Sequence, residues 1–283
     1  GHLLDRDHDQ PTPARVRFRI AAGDITGNTA DLCPGYAQAN LVILPLDWAQ
    51  DFFQFCQVNP KPCPLLEVLA PGEPFTNRIA RRADVRSDLP RYRIWRGGEL
   101  NDEPTDVKDL WRPDLVSFFL GCSFSFDLAL KEAGLPVRHL EAGSNVPMYR
   151  TSVPNVKAGR LGGPLVVSMR PMPEHLVQKA HEVSEGYGGA HGAPVHHGDH
   201  AEIGIAELDN PEFGDAVELL PGEVPVFWAC GVTPQAALMD AKPPFAITHA
   251  PGHMFIADLL SEELDQLGPV REEPAWLRPG RQP

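Results

Sequence analysis

Strand-like apolar runs alternate with amphipathic helical segments over the last two thirds of the chain, and this alternation limits the fold more than any other feature. The run LVSFFLG at residues 115–121 predicts a strand, and a helix over residues 125–133 follows it and ends at Gly134. A second strand is expected from Val137, which completes a βαβ unit. This order favours an α/β fold with a mainly parallel sheet and flanking helices, plus a smaller α+β subdomain.

The same alternation continues towards the C-terminus. The segment GPLVVSMRPM predicts a strand, and the helix after it is started by Pro173 and ended by Gly186. Further predicted strands are APVHHGD, IGIAEL, VPVFWACG and FAITHAPGHMF, with a helix around PQAALMDA. Nearer the N-terminus, Trp48, Phe52 and Phe55 have helical spacing, which predicts a helix from about Asp47 with a buried aromatic stripe.

The length of 283 residues suggests two packed units. We expect a mobile N-terminal arm over residues 1–28, a two-part α/β unit over residues 29–265 and a C-terminal tail over residues 266–283. The smaller α+β subdomain is expected as an insertion in the two-part unit. No run approaches the roughly 18 consecutive apolar residues of a membrane span, so no membrane partner is expected.

Charge and cysteine content exclude several classes of partner. A formal net charge of -13 argues against nucleic acid, because backbone binding needs Lys and Arg to neutralise phosphates. The five cysteines contain no CxxC pair, which indicates neither a disulfide framework nor a zinc ribbon and fits a reducing cytoplasm. No phosphate loop of Walker or Rossmann type occurs, so neither ATP nor NAD is implied, and we expect no cofactor.

Two cysteines are predicted where strands end. In VFWACGVTPQ the apolar run stops at Cys230, and a turn follows. Cys122 stands in a similar strand-to-helix turn, LGCSFS, where the free N–H groups of a helix start favour an anion such as a carboxylate. The candidate substrate-binding residues in these turns are Ser123, Ser125 and Thr233. The alternatives are cysteines that only fill the core and a serine that only caps the helix.

Histidines cluster in two loops, HGAPVHHGDH and THAPGHMF. His191 and His196 in the first and His249 and His253 in the second are candidates for proton transfer, since imidazole titrates near neutral pH. Their separations of five and four residues match no specific zinc motif. General acid-base use, a metal site and purely structural roles all stay open.

Other polar side chains are candidates for substrate binding. One loop, EAGSNVPMYRT, brings a carboxylate, an amide, a phenol and a guanidinium within ten residues: Glu141, Asn145, Tyr149 and Arg150. Arg170 follows Ser168 at the predicted end of a strand and suits bidentate binding of a substrate carboxylate. The loop could equally be an ordinary solvated connection.

Several ordered blocks carry a family resemblance. They are NPKPCPLLEV, DVRSDLPRYRIW, GCSFSF, NVPMYRT, VVSMRP, HGAPVH, VFWACGVTPQ and ITHAPGHMFI. In this order, from about residue 36 to residue 258, the chain resembles the hydro-lyase family related to D-glutamate cyclase. The resemblance implies a two-part α/β fold and an ATP-independent cyclisation of D-glutamate to 5-oxo-D-proline with loss of water, or a related dehydration or hydration of another small carboxylic acid.

The chain departs from the family pattern at three positions. Ser152 and Asn155 replace the Asn and Cys expected after MYRT, and His200 stands where the family usually has Pro. If these positions line the site, the substrate differs from D-glutamate. The general hydro-lyase class is therefore a safer expectation than the specific reaction.

Two rival functions fit the same residues. A cofactor-independent amino-acid racemase or epimerase would use Cys122 and Cys230 on opposite sides of a substrate Cα. A noncatalytic protein that binds a small carboxylate would need none of the thiol chemistry. All three functions have a small carboxylic or amino acid as partner, and the sequence leaves a homo-oligomer open.

Overall fold

The computed structural model describes residues 11–187 and 190–278, without the side chains of residues 124–126. Within this part the helices are α1 (Pro13–Ala21), α2 (Leu46–Val58), α3 (Phe124–Glu132), α4 (Arg138–Glu141), α5 (Val177–Glu185), α6 (Val232–Ala241) and α7 (Ser261–Leu267). The strands are β1 (Tyr36–Pro45), β2 (Leu65–Val68), β3 (Tyr92–Arg96), β4 (Glu99–Asp102), β5 (Leu115–Gly121), β6 (Met148–Pro154), β7 (Pro164–Pro173), β8 (His196–His197), β9 (Glu223–Ala229), β10 (Ala246–His249) and β11 (Phe255–Leu260).

A large antiparallel sheet has the order β2-β5-β1-β10-β3-β4, and β11 also pairs with β1. The central strand β1 pairs with β5 along one edge, from Ala39 to Pro45. Its other edge is shared, because β10 pairs with Val42 and Ile43 while β11 pairs with the part of β1 that ends at Ala39. The described pairings therefore leave a gap on this edge at residues 40–41.

A small antiparallel sheet has the order β6-β7-β9-β8. Its longest strand pair is β7 with β9, which extends from Val167 opposite Ala229 to Pro173 opposite Glu223. Consecutive strands of the chain therefore belong to different sheets, since β5 lies in the large sheet and β6 in the small one.

The prediction of a mainly parallel sheet is wrong, because the strand pairs of both sheets are antiparallel. The βαβ unit fails at one point: the strand expected from Val137 is instead the short helix α4. A helix between two strands gives a parallel pair only when both strands join the same sheet. Here α3 and α4 lead the chain out of the large sheet and into the small one.

The individual elements were predicted better than their arrangement. The strand at residues 115–121, the helix after it, the strand before Pro173 and the helix ending at Gly186 are confirmed. The aromatic stripe is confirmed too, since Trp48, Phe52 and Phe55 of α2 are buried. The segment IGIAEL is not a strand; part of it lies in a 3-10 turn over His200–Ile203.

The core lies on both faces of the large sheet, because side chains alternate along its strands. Leu41 and Ile43 of β1 pack in one cluster with Phe119 of β5. Val42 and Leu44 pack in the opposite cluster with the helix α2. β1 is therefore buried on both faces, which explains its nearly continuous apolar sequence.

Each sheet contributes one helix to the core of the other. Helix α3 follows β5 of the large sheet, yet its Leu130 packs in a cluster with Val226 and Trp228 of the small sheet. Helix α6 follows β9 of the small sheet, yet its Leu238 packs in a cluster with Val42 and other residues of the large sheet. This exchange brings the ends of β5 and β9 towards the same region.

Both terminal segments pack on the large sheet. In α1, the buried Arg17 donates through Nη1 to the Ile256 carbonyl at 2.7 Å and through Nη2 to Asp258 at 2.8 Å. Leu277, close to the end of the described chain, is buried in the cluster of α2. Among the helices of the described residues, none is both long and apolar enough to cross a membrane.

Candidate active site

The two cysteine turns are built alike. Cys122 follows β5 and precedes α3, and Cys230 follows β9 and precedes α6. Both residues are buried. The N–H of Cys230 donates to the Val166 carbonyl at 3.0 Å, and Thr233 holds the start of α6 because its Oγ1 lies 3.1 Å from both the N and the O of Val166. Thr233 therefore fixes the Cys230 turn from inside the fold.

Asn40 of β1 joins the two turns. Its Nδ2 donates to the carbonyl of Gly121, the residue before Cys122, at 3.2 Å. The same amide nitrogen lies against Gly231, the residue after Cys230, so closely that a Cβ at this position would overlap it. We call the region formed by Asn40, Gly121, Cys122, Cys230, Gly231 and His191 the seam.

His191 lies in the seam as a neutral base. Its Nδ1 is 3.0 Å from the Lys61 carbonyl, and a backbone hydrogen bond to Gly121 also acts on the ring. Nε2 lies 3.3 Å from the position of a Cβ on Gly231. Burial lowers the pKa of His191 to about 4, and the charge of Arg170 acts in the same direction. At neutral pH the ring can accept a proton at Nε2.

The backbone at His191 has a φ of 80°, which side chains of L-residues rarely adopt. Such a conformation costs on the order of 1–3 kcal/mol and persists only where the surrounding structure holds it. The hydrogen bond to the Lys61 carbonyl is one contact that does so. This local cost fits a ring that is held in place for chemistry.

His249 lies at the gap in the large sheet and accepts a backbone hydrogen bond through Nδ1. The N–H of Leu41, which the ladder leaves free at this edge, donates to His249 Nδ1 at 3.1 Å. Gln235 of α6 lies 3.4 Å from the same atom. Because Nδ1 accepts, the neutral ring carries its proton on Nε2. Burial lowers the pKa of His249 to about 4, so this ring is a neutral donor.

The Cys230 thiol is another titratable group of the seam. Burial raises its pKa, while the N–H groups of Val232 and Gly231 at the start of α6 and the charge of Arg170 oppose the rise. The net effect keeps the thiol protonated at neutral pH. Cys230 is therefore a thiol that can donate a proton. The thiolate formed in this way lies at the N-terminal end of α6, where the helix dipole stabilises negative charge.

The remaining candidates of the turns and loops are placed differently. Ser123 takes the N-cap position of α3, with no capping hydrogen bond from its side chain in the described part. The side chain of Ser125 lies outside the described residues. His196 Nε2 bonds the Asp199 carbonyl at 2.8 Å, and His253 Nδ1 bonds the Pro251 carbonyl at 2.9 Å. The described contacts do not bring these two histidines into the seam.

The polar loop before β7 has its own partners. Glu141 and Asn145 are exposed. Tyr149 is buried, its hydroxyl donates to the Leu208 carbonyl at 2.5 Å, and burial raises its pKa to about 12. Arg150 donates to Asp240 at 3.3 Å. Arg170 is fully buried, and its Nε donates to Asp127 at 2.8 Å.

The three departures from the family pattern lie in β6 and the turns beside it. Ser152 packs on Gly204, where a Cβ would come within 2.5 Å of the serine Cβ. Asn155 donates through Nδ2 to the Gly162 carbonyl at 3.4 Å, and His200 Nδ1 lies 2.7 Å from the Ile205 carbonyl. Each has a local backbone partner, and no described contact joins them to the seam.

Two cavities lie outside the seam, and one of them, of about 690 Å³, has a lining that includes His200, Glu207 and Asp209. The other, of about 850 Å³ beside β2, has a mixed charged lining that includes Glu67, Arg78 and Arg271, but neither cysteine and no histidine. A cavity alone does not identify an active site. We therefore take the seam, where titratable side chains converge, as the candidate active site. In the described residues no group of three or more His, Cys, Asp or Glu could hold a metal ion.

Sequence reasoning missed Asn40 and the partners of Arg170. Asn is disfavoured inside strands, so a single amide in the apolar run ANLVILP was a usable signal. Asp127 and His139, which lie 3.2 Å apart beside Arg170, gave no signal, because a carboxylate in the first turn of a helix is common.

The chain is similar to one family over most of its length. A profile described as D-glutamate cyclase matches residues 116–258. A Bordetella petrii protein named "Putative hydro-lyase" is 58% identical over 89% of this chain and 96% of its own. Proteins of the same name from Stutzerimonas stutzeri and Streptomyces coelicolor are 56% and 55% identical over 89% of this chain and over 96% and 90% of their own lengths. The chain belongs to the D-glutamate cyclase family, which confirms the resemblance seen in the sequence.

A comparison with solved structures adds nothing to this assignment. A nitrogen repressor-like protein from Methanococcus jannaschii aligns with 88% of this chain and 99% of its own, with a TM-score of 0.36 and 11% identity. A score this low does not establish a shared fold.

The two buried imidazoles predict a pH-dependent stability. The unfolded chain protonates each ring below its ordinary pKa of 6.5, whereas the folded rings stay neutral until about pH 4. The unfolded state therefore binds more protons in this window, and the free energy of unfolding falls as the pH falls. Each ring contributes up to about 1.4 kcal/mol per pH unit to this fall in the free energy of unfolding.

Urea unfolding at several pH values measures this slope. His249→Asn keeps an oxygen near the position of Nδ1 to accept the Leu41 N–H, but it cannot titrate. We expect its free energy of unfolding to depend on pH less steeply than that of the wild type. The difference in slope should correspond to the uptake of up to about one proton fewer on unfolding. Equal slopes for the two proteins would show that His249 is not held neutral.

Proposed function

We propose that this protein cyclises D-glutamate to 5-oxo-D-proline in the seam, without ATP. The observation that carries the proposal is the meeting of the neutral His191 ring with the Asn40 amide and the Cys230 turn. Membership of the D-glutamate cyclase family supports the substrate class and a reaction that releases water.

The reaction needs a base, an acid and donors for a carboxylate. A bond forms between the substrate nitrogen and its side-chain carboxyl carbon, one C–O bond breaks, and both protons lost by the ammonium group leave in the water. His191 Nε2 takes the first proton and makes the amine nucleophilic. The Cys230 thiol donates a proton to the leaving oxygen and regains one afterwards. No oxidant, reductant or phosphate donor is needed to balance this scheme.

The reacting carboxyl would be polarised by the groups around the Cys230 turn. The N–H groups of Gly231 and Val232 at the start of α6 act on the Cys230 sulfur, and a substrate oxygen beside it would meet the same donors. Asn40 uses one N–H on Gly121 and retains a second amide hydrogen. The α-carboxylate would bind at the start of α3, since Arg170 is engaged by Asp127.

An epimerase using two thiols is the second candidate. The observation in its favour is that Asn40 touches both cysteine turns, which lie at the ends of strands from different sheets. Such an enzyme would exchange the Cα hydrogen of its substrate with solvent and form no ring. A carboxylate-binding protein without catalysis would show ligand-induced thermal stabilisation and no turnover.

Proton NMR in deuterated buffer separates these functions. With D-glutamate we expect the signals of 5-oxoproline to appear without loss of the Cα signal, and with L-glutamate we expect no product. Loss of the Cα signal without a ring would support the epimerase. No change with either isomer would contradict both enzymes.

Matched variants identify the acting groups. His191→Asn keeps a donor near the position of Nδ1 for the Lys61 carbonyl but removes Nε2, so we expect kcat to fall about 100-fold or more. Cys230→Ser replaces the thiol with a hydroxyl, a much weaker acid, and should lower kcat similarly. Cyclisation at wild-type rates in either variant would remove that residue from the mechanism.

Alanine substitutions at Gly231 and Gly186 test whether activity depends on the space in the seam. Both have helical backbone angles, with φ of -66° and -70°, so alanine fits either backbone. A Cβ at Gly231 meets Asn40 and His191, whereas a Cβ at Gly186 has no described atom within 4 Å.

We expect Gly231→Ala to lower kcat/KM for D-glutamate about 100-fold, because small displacements of reacting groups are costly. Gly186→Ala should stay near the wild-type value. Equal effects of the two substitutions, measured by steady-state kinetics with melting temperatures alongside, would argue against a site in the seam.

A further inference from the structure

A buried ion network lies behind the cysteine turns. Arg170 of β7 is fully buried, with Nε 2.8 Å from Asp127 Oδ1 and Nη1 3.0 Å from Ser168 Oγ. The other oxygen of Asp127 lies 3.2 Å from His139 Nε2. The guanidinium also lies 4.9 Å from the centre of the Trp228 ring. These groups come from α3, α4, β7 and β9.

Asp127 connects the network to the Cys122 turn. It lies in the first turn of α3, and its N–H donates to the Ser123 carbonyl at 3.2 Å. Burial alone would raise the pKa of Asp127, but the charge of Arg170 and the contact with His139 outweigh burial and lower it. The carboxylate is therefore ionised, and an ion pair holds the start of α3.

Arg170 connects the same network to the Cys230 turn. Strand β7 pairs with β9, placing Arg170 opposite Val226, and the Cys230 N–H donates to Val166 of β7 at 3.0 Å. Burial raises the pKa of the Cys230 thiol, and the charge of Arg170 opposes that rise. Burial lowers the pKa of His191, and the same charge lowers it further. The guanidinium therefore acts on both groups.

We propose that Asp127 and Arg170 are positioning residues, whose ion pair holds the Cys122 turn in register with the strands that carry Cys230. The inference deepens the function proposed above and rests on it. The pair acts through the turns and touches no substrate. The positive charge of Arg170 lies inside the fold, where it favours the thiolate of Cys230 and the neutral form of His191.

Paired substitutions separate positioning from stability. Removing one charge of a buried pair leaves the other uncompensated, whereas removing both is often tolerated. Asp127→Asn combined with Arg170→Met removes both charges with little change of volume. We expect each single substitution to lower the melting temperature and the double variant to recover most of the loss.

Catalysis should not recover with stability. In the double variant we expect kcat for D-glutamate to stay about 100-fold below wild type with a smaller change in KM, because the reacting groups are misplaced. Alkylation of Cys230 by iodoacetamide, followed by peptide mass spectrometry, should also slow. Recovery of wild-type kcat together with the melting temperature would overturn the proposal.

A second ion pair provides the control. Arg138 of α4 bonds Glu223 at the start of β9, at the opposite end of that strand from Cys230. Arg138→Met with Glu223→Gln should leave kcat within about twofold of wild type, as substitutions away from the site usually do. A loss of kcat equal to that of the Asp127 and Arg170 double variant would also overturn the proposal.

Arg170→Lys tests the proposal even if the double variant does not fold. The ammonium keeps the charge but cannot bond Asp127 and Ser168 in the fixed geometry of a guanidinium. We expect Cys230 alkylation near the wild-type rate and a reduced kcat, and an unchanged kcat would contradict positioning. If the wild type does not cyclise D-glutamate, the proposed reaction fails, while the alkylation rates still report whether Arg170 acts on Cys230.

Discussion

The exchange of helices between the two sheets is the constraint on which the rest of the structure depends. Helix α3 leaves the large sheet and packs against Trp228 of the small sheet, and α6 leaves the small sheet and packs under the large one. Because each helix must cross, the turns that start them, with Cys122 and Cys230, face a common region.

The polar groups of the seam follow from how the sheets are paired. β10 and β11 share one edge of β1 and leave Leu41 without a strand partner there, and His249 accepts its N–H instead. His191 is held by backbone hydrogen bonds to Lys61 and Gly121. Both rings are neutral because burial lowers their pKa values to about 4. Two neutral imidazoles are therefore present at neutral pH, which suits a reaction that moves protons without a charged cofactor.

Local pattern predicted most of the elements, although not the helix α4 or the turn at His200–Ile203, and it failed on their arrangement. The period of apolar residues gives the strand at residues 115–121 and the helix α5 directly, but it carries no information on strand direction. Both cysteine turns were predicted, because a strand end and a helix start are local features. His191 and His196 were indistinguishable in sequence, since only the fold places one beside Gly231 and the other against Asp199. Asp127 was invisible as a partner of Arg170, because their contact joins helix α3 to strand β7, 43 residues apart in the chain.

A crystal structure with bound 5-oxo-D-proline would test the central claim most directly, namely that the seam is the active site. The account predicts the lactam ring beside His191 Nε2 and Asn40, with its carboxylate at the start of α3 and its carbonyl oxygen at the start of α6. The Lys61 carbonyl should still hold His191 Nδ1 in that complex. A lactam bound instead in the cavity lined by Glu67, Arg78 and Arg271, with no ligand in the seam, would contradict it.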